Sequence, residues 1–308
     1  MKRLYLVYTL MAMICMTSSC RNQKDSPQPK IVTTTTMITD LVHQIGGDSI
    51  VVVGLMKAGI DPHTYKASEG DVHQLSSAQA IFYNGLHLEG KMADVFKKMN
   101  KSGYQTYAIS DALLPEDIIS STDFSGNYDP HIWFSIQNWK KAAMYVSGVL
   151  SELHPNNKMY YENNLCKYLQ SLDDMAVELQ KKINKIPSEK KILITAHDAF
   201  GYFAKEFDFQ VKGLQGFSSA AEAGTANMIA LAEFIAENEI PAIFVESSVP
   251  EKTMIALQMA VENRGFNVRI GGMLYSDALG NPETPQGTYI GMYHANIETI
   301  TKALYVRE

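Results

Sequence analysis

Three cysteines in 308 residues leave little scope for disulfide chemistry. Cys15 lies in an apolar leader and Cys20 at its end. Cys166 alone remains in the body of the chain, so no intrachain disulfide is available. Cys166 falls in a helical pattern with Leu165 and Leu169, where a small buried residue is expected. Basic residues are also scarce: 27 Lys and Arg stand against 33 Asp and Glu, a formal net charge of −6. No stretch clusters Lys or Arg with interleaved aromatics, which argues against nucleic acid as a partner. No apolar run spans a bilayer comfortably, the leader at residues 4–16 included. No His-Glu-x-x-His segment occurs, so that helical zinc-hydrolase arrangement is missing. What remains is ordinary: 46% hydrophobic and 19% charged residues describe a globular chain, long enough for one large domain or two moderate ones.

The N-terminus lies outside the fold. Met1-Lys2-Arg3 is a short basic start, residues 4–16 are almost wholly apolar, and Thr17-Ser18-Ser19-Cys20 follows, which is the pattern of a secretory signal. A cysteine after three small residues resembles a bacterial lipoprotein site, where cleavage leaves Cys20 first and lipidated. Residues 1–19 are thus read as signal peptide. Residues 20–30, polar and proline-containing, form the lipidated N-terminus and a flexible tether. An ordinary signal with an incidental cysteine is the alternative.

From residue 31 strand and helix alternate. Ile31-Val32-Thr33-Thr34-Thr35-Thr36 is β-branched throughout, and Ile38, Leu41, Val42 and Ile45 then recur at helical spacing. Further strands are expected at 50–55, 80–85 and 106–109, and a capping box at Ser68–Asp71 opens a short helix. Apolar runs separated by helices argue for a parallel sheet covered on both faces. Leu165, Leu169, Leu172, Met175, Leu179 and Ile183 then recur at three- and four-residue steps up to Pro187. About 30 residues of helix run roughly 45 Å, longer than one small lobe needs. Too few heptads favour a coiled-coil arm, and a spine connecting two lobes fits better, because strands resume at 191–195, 242–246 and 266–270. The expected architecture is α/β: an N-terminal lobe at 31–152, a spine helix at 153–187 and a C-terminal lobe at 188–308, both lobes with parallel sheets.

One tripeptide occurs twice: Asp61-Pro62-His63-Thr64-Tyr65 and Asp129-Pro130-His131-Ile132-Trp133. Proline fixes its own φ and pushes the preceding residue towards an extended shape. Each histidine therefore leaves a stiff loop in a restricted direction, as a preorganised metal ligand requires. His197 and Asp277 follow strands, where ligands of α/β sheets gather. Three histidines and an aspartate make an N₃O donor set that suits zinc or manganese and is too hard for copper(I). The other histidines, at 43, 73, 87, 154 and 294, read as surface or satisfied residues. Asp61, Asp129 and Asp198 are candidates to orient neighbouring imidazoles. For the first two, Asp-Pro as a turn or helix-start pair explains them equally well.

The two Asp-Pro-His motifs, with Asn84-Gly85-Leu86-His87-Leu88-Glu89-Gly90, His197-Asp198-Ala199-Phe200-Gly201-Tyr202-Phe203 and Tyr275-Ser276-Asp277-Ala278-Leu279, resemble the solute-binding proteins of zinc/manganese ABC importers, the TroA-like cluster A-I. The resemblance covers the chain beyond the tether. Ser135 stands where relatives often carry an acid. The resemblance implies two lobes joined by one long helix, with the metal in the interlobe cleft on His63, His131, His197 and Asp277. It further implies a monomeric, non-enzymatic receptor on the extracytoplasmic or periplasmic face of a bacterial envelope, delivering Zn²⁺ or Mn²⁺ to a permease and its ATPase. Two rivals differ in class: a surface adhesion lipoprotein that uses its metal structurally, and a zinc hydrolase. The ion stays open. The 115–128 stretch lacks the histidines of zinc-preferring relatives, whereas manganese-preferring relatives often replace the third histidine by glutamate.

Overall fold

The computed structural model describes residues 28–120, 128–220 and 224–305; the signal segment, Cys20 and most of the tether lie outside them. Strand β1 (Lys30–Thr33) ends earlier than the β-branched run suggests, because Thr35 turns to cap helix α1 (Thr36–Gly46) by accepting from the backbone N–H of Ile38. A threonine at an N-cap satisfies an otherwise orphaned donor, and here that outweighs strand propensity. Strand β2 (Val51–Gly54), α2 (Glu69–Ser76), β3 (Ala80–Tyr83), α3 (Ala93–Lys101) and β4 (Thr106–Ala108) complete a parallel sheet of order β2-β1-β3-β4. Alternate residues cover its two faces. Ile31 and Phe82 join one core cluster, while Val32 and Ile81 join another with Leu55, Leu75 and Phe96.

Helix α4 (Ile136–Leu153) leads through a short 3₁₀ turn into α5 (Lys158–Ile183), the spine. Its 26 residues run about 39 Å. Tyr161, Tyr168, Leu172, Met175, Leu179 and Ile183 form its buried stripe. Cys166 points the other way and is exposed, contrary to the buried position expected. The helical phase places it one step off the stripe that Leu172 and Leu179 define.

Beyond the spine come β5 (Ile192–His197), α6 (Gly201–Phe207), β6 (Gln210–Gln215), α7 (Thr225–Glu237), β7 (Ala242–Glu246), α8 (Lys252–Glu262), β8 (Arg269–Leu274) and α9 (Tyr289–Leu304). β5 pairs with β6 and β7 with β8, both parallel, and the two pairs abut along β5 and β7. β8 begins later and ends later than the expected 266–270 run: Gly271 and Gly272 depress the strand signal beyond 270, and register with β7 decides its extent. β6 carries little apolar signal and was not anticipated. The two lobes share one hydrophobic core: Leu41 and Trp139 from the first, Leu172 and Leu179 from the spine, and Phe200, Tyr289 and Tyr293 from the second. Among the described residues no helix is long and apolar enough to cross a membrane.

Candidate metal centre

The first histidine loop follows β2. Asp61 Oδ1 accepts the backbone N–H of His63 at 2.8 Å, and the Tyr65 hydroxyl donates to Asp71, the capping-box acid of α2, at 2.7 Å. The loop is thereby tied to the helix that follows it. The second loop rests on the Asn84–Gly90 motif. Leu86 and His87 take left-handed backbone (φ 51° and 63°), which turns the chain so that buried Glu89 accepts from Asn84 N and Thr34 Oγ1, both at 2.7 Å. Asn84 Nδ2 in turn donates to the Pro130 carbonyl at 2.9 Å. The two aromatics beyond the histidines thus differ in role. Tyr65 braces its own loop, whereas Trp133 Nε1 crosses to the second lobe and donates to Ser276 O at 3.0 Å.

His197 is the last residue of β5 and Asp277 lies three residues past β8. All four predicted side chains meet: one donor atom from each lies within 4.8 Å of the others, and all four residues are buried. His131 Nε2 is 3.3 Å from Nε2 of both His63 and His197. Asp277 Oδ2 is 3.2 Å from His197 Nε2 and 3.9 Å from His63 Nε2, and its Oδ1 is 3.4 Å from His131 Nε2. Four donors at about 2.0–2.1 Å from a tetrahedral zinc ion are separated by about 3.3 Å. Most of the donor separations match that spacing, and the whole set lies within 4.8 Å. Asp277 Oδ1 also has no hydrogen-bond donor among the described residues, so this buried oxygen has capacity for a cation. His43, His73 and His87 are exposed, and His154 and His294 half-buried, away from this cluster.

Carboxylates behind the ligands orient two of the rings. Asp129 Oδ1 lies 2.7 Å from His131 Nδ1, as expected. Gly201 makes room for it: a Cβ there would stand 2.7 Å from Asp129 Oδ2. Asp61 engages the backbone of His63. At His197 the carboxylate against the ring is Glu246, with Oε2 at ion-pair distance, 2.6 Å from Nδ1, and Oε1 accepting the backbone N–H at 2.9 Å. Asp198 had been the candidate there. Glu246 ends β7, the strand beside β5, and its position at a strand's carboxyl end was the available signal.

Burial and charge pull the ring pKa values apart. Burial pushes His63 down to about 4, against the attraction of Asp277 and with the repulsion of His131 and His197. Burial also acts against protonation of His131, but Asp129 and Asp277 outweigh it and raise the ring to about 9. At His197 burial is likewise overcome by Glu246 and Asp277, and the ring is held well above its ordinary value. Burial would raise Asp277, yet His197 and His131 hold it well below the usual carboxylate range.

Comparisons with known proteins place the chain in a family. The profile of the family "zinc-uptake complex component A periplasmic" matches residues 31–303. The zinc-binding protein TroA of Treponema pallidum is 43% identical over 277 residues, 90% of this chain and 89% of that protein. The manganese-binding lipoprotein MntA of Bacillus subtilis is 41% identical over 290 residues, 94% of each. The solved structure of Treponema pallidum TroA superposes with a TM-score of 0.88, covering 91% of this chain and all of that one. With such a profile match and such relatives, the chain belongs to the zinc-uptake complex component A family, the metal-binding, substrate-binding components of ABC importers.

Proposed function

We propose that His63, His131, His197 and Asp277 together bind one divalent ion, zinc or manganese, as cargo for a membrane permease and its ATPase. The observation that carries this reading is the convergence of four buried donors, two from each side of the spine, within 4.8 Å of one another. Four protein donors fill a tetrahedral shell, which favours capture and hand-off over hydrolysis, and no enzymatic turnover is expected. Between the two metals, the Irving–Williams order places zinc above manganese for a shared N/O site. The shared core along α5 restricts opening of the lobes, so release draws on work done by the permease. The lobe boundaries at 31–152 and 188–308, with 153–187 as the spine, belong to this reading, as does a monomeric receptor. Cys20 would carry the lipid that holds it at the extracytoplasmic face. The lipoprotein relatives support that anchor, and a Cys20→Ser chain should leave the membrane fraction.

The test is metal stoichiometry. The purified protein is expected to retain one divalent ion per chain and to take zinc over manganese when offered both. The His63→Ala, His131→Ala double variant should retain neither; unchanged binding in that variant would remove the assignment. Metal analysis of protein isolated from its native envelope identifies the cargo.

A further inference from the structure

His63 is the most accessible of the four donors, 5% exposed, while His131 and His197 are fully buried. What little solvent contact the cluster has is therefore chiefly at His63. Beside the 59–65 loop that carries His63 lies a cavity of about 640 Å³ lined from both lobes, by Asp61, Thr64 and Tyr65 on one wall and Gln215, Ser219 and Ser248 on the other. Ser248, on the cavity wall, has its Oγ 3.1 Å from Ser276 Oγ and 3.4 Å from Asp277 Oδ2.

Across this cavity Ser219 Oγ donates to Asp61 Oδ2 at 2.7 Å. The same carboxylate accepts from Thr64 Oγ1 at 3.0 Å and, through Oδ1, from the backbone N–H of His63 at 2.8 Å. One side chain thus ties the loop after β6 in the second lobe to the backbone of a donor histidine in the first. Three cross-lobe bonds within the shared core are of a different kind, whereas Leu279 N–H to Thr36 Oγ1, at 2.7 Å, is partly buried like the Ser219 bond. Trp133 Nε1 to Ser276 O, Tyr202 hydroxyl to Asp129 O and Tyr289 hydroxyl to Trp133 O are all buried. Breaking those means unpacking aromatic rings from the shared core. The Ser219–Asp61 bond is half-buried, and its loss leaves that core intact.

We propose that Ser219 is a positioning residue that latches the mouth of the cleft and sets the rate at which the bound ion escapes. It touches no ion. It acts through Asp61, which holds the backbone of His63, so release of the Ser219 hydroxyl frees the 59–65 loop to carry His63 away from the other three donors. This deepens the metal-binding reading and rests on it. Hydrogen bonds to charged acceptors are among the stronger ones, and loss of this one should show chiefly in dissociation, as most changes in affinity do.

The experiment loads the parent, Ser219→Ala and Ser219→Thr with zinc and follows release into excess fluorescent chelator by stopped flow, with a melting curve to establish folding. Ser219→Ala should release zinc about tenfold faster, with association little changed, and Ser219→Thr, which keeps the hydroxyl, should stay near the parent. Release from Ser219→Ala at the parent's rate overturns the latch and leaves the metal-binding reading standing. So does equal acceleration by Ser219→Thr, since loop shape and not the hydrogen bond would then be responsible. A parent that binds neither zinc nor manganese overturns both.

Discussion

At the residue scale, the donors are held by carboxylates that are themselves buried. Glu246 meets the His197 ring, and Asp129 meets the His131 ring. Such partners fix ring orientation and raise ligand basicity. Glu246→Gln and Asp129→Asn are each expected to weaken zinc binding about 10–100-fold while the fold persists, read by chelator competition. The shifted rings also make a pH prediction. His131 is raised to about 9 in the metal-free protein, so its proton stabilises that form fully below the unfolded value of 6.5, and the contribution is lost as pH rises through about 9. His63, pushed down to about 4, works oppositely: stability is lost as pH falls from 6.5 towards 4. Metal must displace the His131 proton at neutral pH. Calorimetry in buffers of different ionisation heat should therefore find proton release on zinc binding, with affinity falling as the solution is acidified. Binding without proton release at neutral pH would contradict the arrangement.

At the element scale, the cluster depends on how closely strands approach. Gly213 of β6 faces the end of β5, where an added Cβ would lie 2.4 Å from Asp198 N and 2.5 Å from the carbonyl carbon of His197. Both atoms are backbone and have no rotamer to yield. Gly213→Ala is expected to destabilise the protein by about 1–3 kcal/mol and to weaken metal binding as well, because the displaced strand end carries His197. Parallel melting and zinc-titration curves check the pair of effects. A loss of stability without loss of affinity would mean that β5 yields elsewhere. The spine works at the same scale. Its buried stripe touches α1 and α4 on one side and α9 on the other, so lobe motion is transmitted through a packed helix and not a free linker.

At the scale of the whole molecule, stability without metal separates a receptor from a protein that uses its metal structurally. The shared core of Leu41, Trp139, Leu172, Phe200 and Tyr293 is independent of the donor cluster in composition. A chelator-treated protein is therefore expected to stay folded and to rebind. Zinc at a hundredfold excess over Kd should add about 2.7 kcal/mol of stability and raise the melting temperature. Unfolding on chelation would instead support the structural-metal alternative.

Much of this was written in the order of residues. The paired Asp-Pro-His loops, His197 at a strand end and Asp277 beyond β8 pointed to the four side chains that meet in the cluster, because stiff loops and strand termini are local features. The buried stripe of α5 was legible from its helical spacing for the same reason. Strand β6 was not, and three contacts or placements at the site and spine were not either. Glu246 stands 49 residues from His197, and only the abutting of β7 on β5 makes it a partner. Cys166 was expected inside and lies outside, because which face of α5 is buried depends on the helices packed against it. The Ser219–Asp61 contact spans 158 residues and exists only where the two lobes meet. The sequence by itself determined the donor chemistry and the elements that carry it. Which carboxylate orients each ring, and what closes the cleft, was decided by tertiary structure, since those contacts depend on how separate elements pack in space.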